Sequence, residues 1–277
     1  MKVYISADLE GVSGVVHDHQ TGGSSAEFLV MAKELMTAEV NAAIEGFYAG
    51  GAKEVTVNDS HGDMRNLFPD KLDQRARLIT GSAKPWSMME GVDDTFAMAG
   101  FVGYHARAGL PGVLNHTYSG RSVRELRLNG APVGEVGMNA ALAGVYNVPV
   151  VLVTGDTLLC EEARELLGEI ETAAVKIPIT RSAANCLSPT ASRALIKAAA
   201  KRAAAARIAG KGPGPWRLQS PITAELDFNR TVMADGAAIV PGAVRTGHVS
   251  VAYSADDYRV VFNAVRTCIA MASYYGM

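Results

Sequence analysis

Acidic and imidazole side chains collect where three β-like runs end. The run Val3–Ala7 in MKVYISADLEG leads into Asp8 and Glu10; EVTVNDSHG ends in Asn58, Asp59, Ser60 and His61; FAMAGFVGYHARAG ends in His105. Side chains alternate along an extended chain, so Asp8 and Glu10 point to the same side of the backbone. Two adjacent carboxylates raise each other's pKa unless a cation lies between them. Two imidazoles with two carboxylates form a mixed nitrogen and oxygen set suited to zinc or a neighbouring divalent ion. One carboxylate of a close pair can also bridge two metals, as in two-metal hydrolases. Each signal alone is ordinary, since a strand-end histidine commonly caps a helix and an Asp-x-Glu pair commonly sits in a solvated loop. Their coincidence at one edge of one sheet points to a metal as the missing cation.

Further candidates flank this set. Glu135, in PVGEVGMNAALAG, opens a predicted helix. The helix dipole favours a carboxylate there, and Gly134 and Gly137 permit close backbone approach, so a capping role and a site role both stand. His116, in PGVLNHTYSG, follows His105 across a Gly/Pro-rich loop. It suits a general base, acid or nucleophile if that loop folds over the metals, and is a surface histidine otherwise. Asp59 is placed to orient His61. His17 and His19 lie in the polar, glycine-rich VVHDHQTGG loop and His248 opens a predicted strand; no role is assigned to these three. No G-x-S-x-G elbow supports serine catalysis, and no G-x-G-x-x-G or Walker loop supports a nucleotide. A two-metal phosphoesterase is disfavoured because no basic cluster near the strand ends would hold phosphate.

The elements that must position these residues read as follows. Strands are predicted at Val3–Ala7, Glu54–Val57, Phe96–Gly103 and Pro149–Val153. SSAEFLVMAKELMTAEVNAAIEGFYAG between the first two has apolar residues at three- and four-residue spacing and a glycine stop, which makes it a helix. Strand, helix, strand at this spacing is a parallel βαβ unit, and the pattern repeats. SVRELRLNGAPVGEVG alternates around Asn129-Gly130, an antiparallel hairpin interrupting the parallel sheet. A helix follows over Val136–Val145, then a turn at Asn147–Pro149 into a buried strand. SPTASRALIKAAAKRAAAARIAG is an alanine-rich helix, and KGPGPWRLQSP then breaks regular structure. ITAELDF and HVSVAYS read as strands and DDYRVVFNAVRTCIAMASYY as a closing helix. The fold class is therefore α/β: a mostly parallel sheet flanked by helices over 1–211, carrying the metal-binding residues, with a small C-terminal α+β appendage over 212–277.

Bulk properties narrow the function. The chain has 277 residues, 48% of them hydrophobic and 19% charged, enough for a full core. A net charge of −2 offers no polybasic surface for nucleic acid or anionic lipid. The most apolar window, VGMNAALAGVYNVPVVLV, contains two Asn and a Pro and reads as helix, turn and strand, not as a membrane span. The N-terminus is a strand bearing Asp8 and Glu10 and has no signal-peptide pattern. Three scattered cysteines without a C-x-x-C pair fit reduced thiols in a cytoplasm.

SADLEG, VNDSHG, GYHARAGLPGVLNH, PVGEVGMNAALAG and AAVKIPITRSAANCLSP, in this order and spacing, resemble the D-aminopeptidases of peptidase family M55. The resemblance is close from residue 1 to about 190 and continues more loosely through ELDF, IVPGAVRTG and the last helix. It implies two zinc ions per subunit, held by Asp8, Glu10, His61, His105 and Glu135, with His116 as the catalytic histidine. It also implies a homodecamer of two stacked five-membered rings and, as substrates, small peptides with an N-terminal D-amino acid of the D-Ala type. A shared metal core does not fix stereochemistry, so L- or other peptide specificity and a non-catalytic metal- or peptide-binding ring are the alternatives.

Overall fold

The computed structural model describes residues 1–22 and 25–277; Gly23 of the VVHDHQTGG loop and Ser24, at the start of the helix expected next, lie outside the described residues. Along the chain run β1 (Lys2–Ala7), α1 (Asp18–Thr21), α2 (Ala26–Ala49), β2 (Glu54–Asp59), β3 (Ala76–Ile79), β4 (Met98–Val102), β5 (Val123–Leu128), β6 (Ala131–Pro132), α3 (Glu135–Val145) and β7 (Val150–Asp156). Then follow α4 (Thr157–Leu167), β8 (Glu171–Thr180), β9 (Ala183–Cys186), α5 (Pro189–Ile208), β10 (Ile222–Phe228), α6 (Thr231–Ala237), β11 (Val244–Arg245), β12 (Ser250–Ala255) and α7 (Tyr258–Tyr275).

Seven strands form the main sheet in the order β3-β2-β1-β4-β7-β8-β9, parallel throughout except for the last pair. The chain runs outward from β1 through β2 to β3, then returns to the other side of β1 to lay down β4. That reversal opens a crevice at the carboxyl ends of β1 and β4, the place where open α/β sheets bind ligands. Alternation along the strands supplies both cores. Val3, Ile5, Met98 and Val102 face one side with α2 and α5, while Tyr4, Ala99 and Phe101 face the other with α3, α7 and the second sheet. The alanine-rich α5 has a packing reason. A Cβ on Gly46 of α2, or on Gly50 just past its end, would lie 2.4 or 2.6 Å from backbone carbonyls of α5, so glycine is what lets the two helices come this close.

The second sheet, in the order β11-β12-β10-β5-β6, is antiparallel. Its β5–β6 hairpin turns at Asn129 and Gly130, both with positive φ (48° and 81°), the conformation that a two-residue hairpin loop requires. The hairpin does not interrupt the parallel sheet as the sequence predicts. It pairs with β10, because the apolar side chains of Val123, Leu126 and Leu128 find their partners there, against Leu226 and α7. Residues 212–277 thus supply β10, β11, β12, α6 and α7, and the middle of the chain completes their sheet. Residues 18–21 of the VVHDHQTGG stretch, read as loop, wind into α1; His17 Nδ1 accepts the His19 N–H at 3.2 Å and Gln20 Oε1 accepts the His17 N–H at 3.0 Å.

The ends of β1, β4 and β7 converge so closely that side chains are excluded. Gly11 donates its N–H to the Gly103 carbonyl at 2.7 Å, and a Cβ at Gly11 would sit 1.8 Å from the Tyr104 carbonyl oxygen. Gly11→Ala must therefore push β1 and β4 apart at the crevice. The expected cost is about 3 kcal/mol, the upper end for forced overpacking, read as a lower urea midpoint with unchanged slope.

Candidate active site

Asp8, Glu10, His61, His105, His116 and Glu135 line one cavity of about 180 Å³ together with Ser60, Gly62, Met64, Ser87, Met88 and Tyr118. Five of the six are buried, and the His116 side chain is 20% exposed at the opening. Asp8 and Glu10 leave the end of β1, His61 lies two residues past β2, and His105 lies three past β4. The register pairs Ala7 with both Asp59 and Val102, which brings those three strand ends level. Glu135 sits in the first turn of α3, where its position also suits the dipole. Its carboxylate turns back into the cavity and accepts the Tyr118 N–H at 2.7 Å.

Each imidazole is oriented by a carbonyl on its far side. His61 Nε2 donates to the Thr21 carbonyl at 2.6 Å, leaving Nδ1 at 3.2 Å from Asp8 Oδ1 and 2.9 Å from Glu10 Oε2. His105 Nδ1 donates to the Ala106 carbonyl at 3.0 Å, so Nε2 faces Asp8 Oδ2 at 3.7 Å and Glu135 Oε1 at 3.4 Å. His116 Nδ1 donates to the Leu114 carbonyl at 2.8 Å, its Nε2 lies 3.7 Å from Glu135 Oε1, and its ring stacks on His105 at 4.1 Å. The ligand atoms of Asp8, Glu10 and His105 fall within 4.8 Å of one another, as do those of His105, His116 and Glu135.

The electrostatics show what is missing. Burial pushes the Asp8 carboxyl up to about 7, with the Glu10 charge adding to the shift. Burial alone would raise Glu10 and Glu135 too, but His61 outweighs it at Glu10 and His105 at Glu135, and both carboxyls end below the usual range. The facing carboxylates overcome burial in turn at His61, driven well above the ordinary imidazole value by Glu10 and Asp8, and at His105, raised to about 10 by Glu135 and Asp8. His116 goes the other way, lowered by burial and by the neighbouring His105 charge. Even with imidazolium protons standing in for a cation, Asp8 Oδ2, Glu10 Oε2 and His105 Nε2 are buried without a hydrogen-bond partner among the described residues. Glu10 Oε2 is near His61 but not aligned with it, since the one Nδ1 proton is directed to Asp8. Buried polar atoms without partners are costly. Three of them converging on one point, two carboxylate oxygens and an imidazole nitrogen, are the donor set of a divalent metal site.

A polar network around the cavity holds this set, and apart from Asp59 the sequence patterns did not mark its members. Ser6 Oγ bonds to Tyr104 Oη at 2.6 Å, Asn139 Nδ2 donates to Tyr104 Oη at 2.9 Å, and Tyr118 Oη donates to Asn139 Oδ1 at 3.2 Å. This floor ties β1, the end of β4, α3 and the loop after His116 together. Asp59 does not touch the His61 ring. It accepts from the Asn66 and Leu67 N–H groups and from Asn66 Nδ2, and that same amide donates to the His61 carbonyl at 2.7 Å. Asp59 therefore fixes the backbone of His61 rather than its imidazole. His17 and His19 meet edge to face at α1 and do not line the cavity, and His248 lies just ahead of β12.

The loop after Glu10 is braced from behind. Lys176, 1% exposed, donates to the carbonyls of Glu10, Val12 and Val15, the last two at 3.0 and 2.6 Å. Burial lowers its ammonium to about 8, which leaves it charged at neutral pH. Glu39 of α2 accepts the Ser13 N–H at 3.1 Å, and burial pushes its carboxyl up to about 7. The folded protein therefore keeps a proton on Glu39 that the unfolded chain releases above its ordinary value of 4.5. The Glu39 contribution is fully present below about 4.5 and is lost as pH rises through about 7. Glu39→Gln should flatten this part of the profile. In paired urea titrations, wild type should lose up to about 3 kcal/mol relative to the variant between pH 4.5 and 7; parallel profiles would contradict the assignment.

A family model described as D-aminopeptidase matches residues 1–267. A D-aminopeptidase from Bacillus subtilis (strain 168) is 40% identical over 278 residues, covering 99% of this chain and all of that one. The solved structure of DppA from Bacillus subtilis, described as a zinc-dependent D-aminopeptidase and a self-compartmentalizing protease, superposes with a TM-score of 0.92 at 38% identity, covering 99% of this chain and 98% of the other.

Proposed function

The chain belongs to peptidase family M55, the D-aminopeptidases, and from that premise we propose that it removes N-terminal D-amino acids of the D-Ala type from short peptides, using two zinc ions held by Asp8, Glu10, His61, His105 and Glu135. It is a metallo-aminopeptidase, a peptide-bond hydrolase. The carrying observation is the convergence of Asp8 Oδ2, Glu10 Oε2 and His105 Nε2, buried and unpartnered, in one cavity. A cavity of about 180 Å³ also suits a small N-terminal residue.

Zinc bound there supplies Lewis-acid polarisation of the scissile carbonyl and a water acidified toward pKa ~7. The protein's own groups do the rest. Asp8 turns Oδ1 toward His61 and Oδ2 toward His105, so it would offer one oxygen to a metal on either side. Glu10 stands on the His61 side and Glu135 on the His105 side. The Thr21 and Ala106 carbonyls fix the two imidazole tautomers so that one ring nitrogen of each is directed inward. His116 has its Nδ1 proton engaged by Leu114, and its lowered pKa leaves Nε2 unprotonated near neutral pH, so Nε2 would first take a proton from the attacking water and then hand it to the departing amine.

Two further parts of the proposal concern setting. The exposed apolar side chains of Ile177 and Ile179 on β8, with Tyr274 and Met277 at the C-terminus, are surface that contacts in a decamer of two stacked five-membered rings would cover. Cys160, Cys186 and Cys268 are free thiols, which fits a reducing cytoplasm, and no helix among the described residues is long and apolar enough to cross a membrane.

Zinc-loaded protein should cleave D-Ala-D-Ala and spare L-Ala-L-Ala, with all turnover lost on chelation. Cleavage of the L-peptide would keep the metal chemistry and overturn the stereochemistry. Peptide binding without cleavage of either substrate would favour a binding role. Asp8→Ala should lose most zinc and activity together, and full zinc occupancy in that variant would sink the bridging role. His116→Ala should keep its zinc while kcat falls about 10²–10⁴-fold, the range for a missing proton-transfer group.

A further inference from the structure

β7 and α4 contribute no side chain to the cavity, yet they carry two buried carboxylates that reach the loops on either side of it. Asp156, at the end of β7, caps α4 by accepting the Leu159 N–H through Oδ1 at 2.8 Å, and its Oδ2 accepts the Val113 N–H at 2.8 Å, three residues before His116. Glu162, six residues further along in α4, does something more specific. Its Oε2 accepts the Arg107 N–H at 3.0 Å and its Oε1 accepts the Gly134 N–H at 3.1 Å. Arg107 lies two residues after His105, and Gly134 immediately precedes Glu135. Glu162 is 8% exposed and forms no salt bridge among the described residues, so the carboxylate is spent on these two amides.

The geometry points to Glu162 as a positioning residue that sets the spacing between His105 and Glu135. This inference rests on the metallopeptidase reading above. His105 and Glu135 come from separate parts of the chain, one from a strand-end loop and one from a helix start, and their facing atoms must share a metal. Their backbones meet through a single side chain whose two oxygens each take one amide. Gly134 allows this approach, because a Cβ there would lie 3.0 Å from Glu162 Oε1 and 2.7 Å from the Arg107 Cβ. Both partners are donors, so only a side chain with two acceptors satisfies them. Glutamine has the same shape but one acceptor, and its NH₂ would face one of the two N–H groups. Carboxylates that hold metal ligands in place in this indirect way typically govern affinity about 10–100-fold.

The test is Glu162→Gln against wild type and against Glu161→Gln, an exposed neighbour as control. Zinc affinity by chelator competition and the zinc-induced rise in Tm are measured without substrate, followed by kcat and KM on D-Ala-D-Ala. Glu162→Gln should bind zinc about 10–100-fold more weakly, show a smaller zinc-induced rise in Tm, and lose kcat at added zinc concentrations that saturate wild type, with KM little changed. The control should match wild type throughout. A variant whose apo Tm falls while its zinc affinity and zinc-induced rise stay at wild-type values would reduce Glu162 to a structural residue and overturn the inference. Amide hydrogen exchange in metal-free wild type supplies a reading that does not depend on the variant folding: the Arg107 and Gly134 amides should both be slow, and fast exchange at both would also overturn it. Wild type that binds no zinc would instead defeat the metallopeptidase reading itself, a result distinct from either failure of Glu162.

Discussion

Three carboxylates, Asp8, Glu10 and Glu135, are buried within reach of the same imidazoles, and Asp8 Oδ2, Glu10 Oε2 and His105 Nε2 find no hydrogen-bond partner among the described residues. This is the constraint on which the rest of the molecule depends. A cluster of like charges in a dry crevice relaxes by moving apart, by taking up protons or by holding a cation. The partial protonation of Asp8 and the raised pKa values of His61 and His105 mark the second course and still leave two carboxylate oxygens and one ring nitrogen without partners. A divalent ion held by the same atoms would resolve the conflict.

The first course, moving apart, is closed by the architecture. The reversal of strand order around β1 places the ends of β1, β2 and β4 level, and glycines at 11, 103 and 155 let backbones approach where a side chain would collide. Lys176 ties down the loop after Glu10 through three carbonyls, and Glu39 holds the same loop at Ser13. The hydroxyl and amide chain from Ser6 through Tyr104 and Asn139 to Tyr118 fixes the floor. These braces are themselves buried polar groups with nearly complete hydrogen bonding, which confers rigidity without adding charge to the cavity. The strain is visible at its rim: Met64, Ser87 and Tyr118, which line the cavity, and Leu114 beside His116 all have positive φ despite carrying side chains.

Much of this was legible in the sequence, for identifiable reasons. Strand alternation and the βαβ spacing announce the main sheet, and the ends of its strands are where Asp8, Glu10, His61 and His105 fall. Glu135 and His116 were legible as candidates from a helix start and a Gly/Pro-rich loop. What escaped is long-range and polar. Glu39, Glu162 and Lys176 sit on ordinary helical or strand patterns, and their partners are backbone groups of 26 to 166 residues' separation, which no local periodicity encodes. The short strands β3, β9 and β11 were missed because two to four residues carry too little pattern. The ten-residue β8 and the helix α4 before it were not read either, since Lys176 and Pro178 break the apolar run of β8 and α4 is rich in charged residues. The hairpin at Asn129-Gly130 was legible as a hairpin, whereas its sheet was not, since partner choice depends on apolar faces brought in from β10 and α7.

The most direct measurement is a crystal structure of the zinc-loaded protein with anomalous scattering recorded on either side of the zinc edge. The account predicts two peaks about 3.5–4 Å apart, with Asp8 between them, Glu10 and His61 on one and His105 and Glu135 on the other. A cavity without zinc at saturating metal, or zinc bound only at sites away from Asp8, would contradict it.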